Sequence, residues 1–151
     1  MSVSAADALS DPAPTRTTLD LYVQAIALNE PDRSLNRAVM IKFGGWHRVQ
    51  PRFAGNRHGA YIAPQDWIGR HSDGSPILDS LHGTDLHRDV PELTSSTDVG
   101  IALCERLELD SPKILAEASQ LAGELARMRG GRFGKWLPIA LTAVILATQC
   151  R

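Results

Sequence analysis

The chain lacks most of what would commit it to a chemistry. Among its 151 residues there are two cysteines, Cys104 and Cys150. Two thiols without a metal-ligand spacing make neither a disulfide framework nor a zinc site, so a reducing compartment is the default expectation. Positive charge is not in excess either: 16 basic against 17 acidic residues leave a net charge of −1. Wrapping duplex nucleic acid is driven by phosphate neutralisation, and this total supplies no drive, although a local basic patch can hide inside a neutral sum. No hydrophobic run is long. The most apolar one, Trp136 to Ala147 in WLPIALTAVILA, covers about a dozen residues where a bilayer needs roughly 20. No membrane partner is therefore expected. The opening MSVSAADALSDPAPTRTT has neither the basic start nor the apolar stretch of a secretory signal, and residues 1–16 read as a flexible lead-in.

Motifs of catalysis are missing as well. There is no HExxH, CxxC, GxSxG or Walker sequence, and no pair of glutamates placed for acid–base work. No catalytic residue, metal or cofactor is assigned on this basis, and whether the protein is an enzyme stays open, with a non-catalytic role favoured.

What is there fits one globular domain over residues 17–151. Hydrophobic residues make up 43% and charged residues 22%, enough for a core. Leu19, Tyr22, Val23, Ile26 and Ala27 recur at helical spacing behind a capping Thr17 or Thr18, and Asn29-Glu30-Pro31 breaks the pattern. Ser34 restarts a helix that carries Leu35, Ala38 and Val39 to the stop at Gly44-Gly45. Trp46, Val49, Phe53, Tyr61 and Ile62 predict short strands around a turn at AGNRHG. Residues 64–94 are rich in turn residues, with room for brief strands at Trp67-Ile68 and Ile77–Leu81. Ser95 or Ser96 then caps a helix with Asp98 in its first turn. Asp110-Ser111-Pro112 opens another, which ends at Gly130-Gly131. RFGKW is expected to be a linker or strand ahead of a closing helix from Leu137. A helix apolar nearly all round must be covered on most sides, so the closing one is expected at the centre of the core.

Three stretches together resemble the phage ABA sandwich domain family. LNRAVMIKFGGW is similar to that family's opening helix, with Leu35, Val39, Lys42, Gly45 and Trp46 matching its pattern. SSTDVGIAL resembles its Ser/Thr-Thr-Asp helix start, and LPIALTAVILA its closing helix. The resemblance covers about residues 34–62, 94–104 and 137–148. It implies a three-layer arrangement with a small sheet between helices, and a phage or prophage origin with action in the bacterial cytoplasm. It carries over no catalytic residues. Two features depart from the family: residues 111–128 read as helix where it has strand-like sequence, and the helix over 17–28 is extra.

Four groups of residues are candidates for a site. In HGTDLH, His82 and His87 bracket Asp85, with Asp89 close by. His and carboxylate converging on one point can hold a metal, whereas the same residues in a loop are ordinarily solvated. Arg48, Arg52, Arg57 and His58 lie near Trp46, Phe53 and Tyr61, where guanidinium forks can take phosphate and aromatic faces can stack a base. In RMRGGRFGK, Arg127, Arg129, Arg132 and Lys135 surround two glycines whose amides can cradle an anion, although basic residues also complement a helix C-terminus. Ser96-Thr97-Asp98 pairs hydroxyls with a carboxylate, but capping accounts for it without chemistry. Trp46, Trp67 and Trp136 read as packing residues, Trp67 the most exposed of them.

The expectation is an α+β fold: a short, mostly antiparallel sheet covered by four or five helices. The favoured function is a non-catalytic binding protein that blocks a host protein or sequesters a small nucleotide-like ligand. The ligand would lie on Arg48, Arg52, Arg57, His58, Tyr61, Arg129, Arg132 and Lys135. A nucleic-acid-binding module and a metal-dependent hydrolase using the loop at 71–89 are the alternatives. A homo-oligomer is expected.

Overall fold

A computed structural model describes residues 16–48, 61–64, 67, 86–87 and 89–150. The expected lead-in up to Thr15, the AGNRHG turn and the Ile77–Leu81 strand lie outside them, as do Val49 and Phe53.

Among the described residues the protein is mostly helical, with a small antiparallel sheet, which makes the α+β expectation good. Five α-helices span Thr18–Ile26 (α1), Arg33–Lys42 (α2), Thr97–Arg106 (α3), Ser111–Arg129 (α4) and Phe133–Gln149 (α5). Strands β1 (His47–Arg48), β2 (Tyr61–Ile62) and β3 (Leu86–His87) pair in the order β1-β2-β3. Arg48 lies opposite Tyr61, and Tyr61 opposite His87. A 3-10 turn, Leu93–Ser95, leads into α3.

The helix starts follow local chemistry. Thr17 and Asp20 form a capping box on α1, each side chain taking the other's backbone N–H at 3.0 and 3.2 Å. Ser96 caps α3 and Asp110 caps α4, with Pro112 in the first turn. α2 begins earlier than expected, because Asp32 caps it by accepting from the Leu35 amide at 3.1 Å. The exposed face of α1 also differs from expectation. Leu21 and Ala25 are buried, while Leu19 and Val23 are 61% and 57% exposed. Tyr22 and Ile26 of the expected stripe do pack, half-buried, against the core, so the covered face is turned toward Leu21 and Ala25 and away from Leu19 and Val23.

α5 is the hub, as its composition predicts. It packs most extensively on α4, then on α1, the 3-10 turn and α3. Ile139, Ala140, Leu141, Ala143, Ile145 and Leu146 are essentially sealed from water. Yet α5 starts at Phe133, so RFGKW is its first turn and not a linker or strand. Pro138 consequently sits in the second turn. The helical bond it cannot make would have ended on the carbonyl of Gly134, an exposed residue whose carbonyl water can reach. Gly100 lets α3 approach α5: a Cβ there would run into the Leu141 side chain.

Candidate functional site

The first two turns of α2 present Arg33, Asn36 and Arg37 on one face, at i, i+3 and i+4. Asp32 starts that helix, and the same residue ties it to the 3-10 turn: its amide donates to Thr94 Oγ1 at 2.8 Å. The Thr94 hydroxyl donates in turn to Asn36 Oδ1 at 2.8 Å, and the Thr94 amide donates to that same oxygen at 2.9 Å. Thr94 is fully buried and Asn36 nearly so. With its oxygen engaged twice by Thr94, Asn36 is fixed in one orientation on the cavity lining.

Asp89 completes the wall. Arg37 grips it bidentately, Nε to Oδ1 at 2.9 Å and Nη2 to Oδ2 at 3.0 Å. Arg33 Nε stands 3.4 Å from Oδ2, and the Val90 amide donates to Oδ1 at 2.8 Å. The Asp89 hydrogen bond, more than any other influence, holds the Arg37 guanidinium above its ordinary pKa. These side chains, with Asp32, Glu92 and Ser95, line a partly open cavity of about 490 Å³. Its polar equipment is two guanidiniums and an amide as donors, with carboxylates and a hydroxyl as acceptors.

Behind the cavity, the Arg37 guanidinium lies 5.7 Å from the centre of the Tyr61 ring. Burial pushes the Tyr61 phenol up, against the pull of Arg37 and of Arg48, whose side chain hydrogen-bonds it. One expected site residue pair, Arg48 and Tyr61, is therefore assembled, and it borders Arg37. Arg52, Arg57 and His58 lie outside the described residues. Arg129, Arg132 and Lys135 stand elsewhere, at the α4–α5 turn. Arg129 donates to the Leu28 carbonyl at 3.0 Å, and Lys135 pairs with Glu30 at 3.3 Å. Both cations flank the Trp136 ring, at 5.8 and 4.9 Å. Neither they nor Arg48 are among the described residues that line the cavity.

Ser96 caps α3 through the Val99 amide at 3.4 Å. His82 and Asp85 are outside the described residues. His87 is no free loop residue: it is on β3, with its ring 5.5 Å from Trp46. Asp89 is taken by the two arginines. No group of three or more potential metal ligands occurs among the described residues. Trp67 is buried, at 8% exposure, edge-on to Trp46 at 5.9 Å, which corrects its expected exposure. Among the described residues, the indole nitrogens of Trp46 and Trp67 and Nε2 of His87 are buried without a hydrogen-bond partner.

The sequence alone does not mark Arg33, Asn36 and Arg37 as a site. Their i, i+3, i+4 spacing was the available signal, but it reads equally as the solvated side of an amphipathic helix. The chain matches no protein-family model, no curated protein and no solved structure.

Proposed function

We propose that this protein is a non-catalytic binding protein for a small phosphate- or carboxylate-bearing ligand, held in the cavity beside α2. The observation that carries this reading is the cavity itself. At about 490 Å³ it falls within the usual range of small-molecule sites, and Arg33 and Arg37 reach it from one helix face. Guanidinium forks match phosphate and carboxylate oxygens. Asp89 already occupies that fork from within the chain, so an incoming anion would share or replace it. Asp32 and Glu92 on the rim accept hydrogen bonds and suit the hydroxyl or amine groups of a nucleotide-like molecule. The finer fold reading, three layers with the sheet between helices, and the phage-encoded origin belong to the same proposal and rest on the three stretches given above.

Native mass spectrometry of the protein purified from bacteria, then release and analysis of bound small molecules, tests this first. Calorimetric titration with inorganic phosphate and with nucleoside monophosphates follows. The Arg33→Ala variant should bind about tenfold more weakly, as loss of one charge-assisted contact predicts. A protein that is empty on purification and gives no heat with either probe would overturn the reading and turn attention to a host-protein target.

A further inference from the structure

The α4–α5 turn has a second character that the cavity does not use. Residues 127–135 carry four cations, Arg127, Arg129, Arg132 and Lys135, and no acid. The rest of the chain holds 12 basic against 17 acidic residues, a net charge of −5. Charge is thus strongly segregated toward one end of a helical hairpin. Two large apolar side chains stand out among these cations: Met128 is 74% exposed and Phe133 45%. Gly130 and Gly134 face open space, so the backbone of the turn can come close to a surface. Contacts to Leu28, Glu30 and the Trp136 ring hold Arg129 and Lys135 in place on this tip.

We propose that this turn docks on an anionic lipid surface, with Met128 and Phe133 entering the headgroup region and Arg127, Arg129 and Arg132 facing the lipid charge, while Lys135 stays paired with Glu30. Among the described residues no helix is long and apolar enough to cross a membrane, so this is a peripheral contact and departs from the expectation of no membrane partner. Polybasic clusters are drawn to the negative potential of such surfaces, and stable attachment takes an apolar contribution besides the charge. A polyanion read by stacking would use Phe133 but has no use for a flexible, non-aromatic Met128, and a flat surface needs only a protruding tip. The net negative remainder of the molecule would be repelled, which orients the tip inward.

Co-sedimentation with vesicles of equal parts phosphatidylcholine and phosphatidylserine tests it, beside pure phosphatidylcholine vesicles. Binding is expected to the anionic vesicles only and to fall as salt is raised. The paired Arg127→Glu, Arg132→Glu variant should bind at least twentyfold more weakly, taking about fivefold for each cation removed. Phe133→Ser should weaken binding severalfold at unchanged charge. Circular dichroism of both variants confirms that they are folded. Absence of binding to anionic vesicles, or binding unaltered in the charge-reversed variant or in Phe133→Ser, would overturn the proposal. Binding of a single-stranded oligonucleotide without vesicle binding would also overturn it.

Discussion

Arg37 and Asp89, 52 positions apart in the chain, meet through two parallel hydrogen bonds of 2.9 and 3.0 Å. Each side chain is only about a quarter exposed, at 26% and 24%. This fork, with Arg33 beside it, ties α2 to the segment that leads from the sheet to the 3-10 turn, and it lines the cavity.

Arg37→Ala should cost about 1.5–3 kcal/mol, the range for hydrogen bonds to charged partners, because among the described residues Asp89 then keeps Arg33 and the Val90 amide alone. Arg37→Lys should rescue little, since an ammonium has no fork. Arg33→Ala should stay within about 0.5 kcal/mol, because that side chain is 73% exposed. Urea unfolding of the three variants makes the comparison.

The Thr94 hydroxyl accepts from Asp32 and donates to Asn36 in a buried site. Thr94→Val keeps the shape but leaves the Asp32 amide without its acceptor. The expected loss is about 1–3 kcal/mol, with Thr94→Ser restoring most of it. A valine variant as stable as the parent by urea unfolding would show that the network contributes nothing.

Two glycines make a matched pair. Gly100→Ala drives a methyl into Leu141 on the central helix and should destabilise by about 1–3 kcal/mol. Gly123 lies inside α4 with nothing within reach of a Cβ. Gly123→Ala should therefore stabilise by about 0.5–1 kcal/mol, by restricting the unfolded chain and favouring helix. Thermal melts should move in opposite directions.

Burial pushes the Cys104 thiol up to about 11 from an ordinary 9.0. The folded state thus holds this proton more tightly than the unfolded chain does. That contribution to stability is complete below pH 9 and is lost as pH rises toward 11. Tyr61, shifted upward from 10.0, acts in the same sense at the upper end of this window. Urea midpoints should fall between pH 9 and 11, and fall less in Cys104→Ala. A thiol reagent at neutral pH should count the exposed Cys150 in the native protein and both thiols after denaturation.

The sequence by itself determined the helices and the identity of the central one. Capping at Thr17 and Ser96, the proline at 112 and the glycines at 130 and 131 act within a few residues of where they stand, so they can be read in order along the chain. The near-continuous apolarity of Ile139–Leu146 leaves it no place but the core. Tertiary structure decided the rest. Leu21 and Ala25 bury themselves, not Leu19 and Val23, because α5 chooses which side of α1 it covers. The start of α5 moved back to Phe133 because Trp136 is anchored by its 2.7 Å bond to the Gly130 carbonyl, which favours a helical turn over a linker. The cavity was illegible for a similar reason. Asp89 stands among residues that suggested a metal loop, and Arg33 and Arg37 resemble any solvated helix face until Asp89 meets them. Local propensity reaches three or four residues, while the contacts that make this site span 52 and 58. Only the folding of distant segments onto one another brings those groups together.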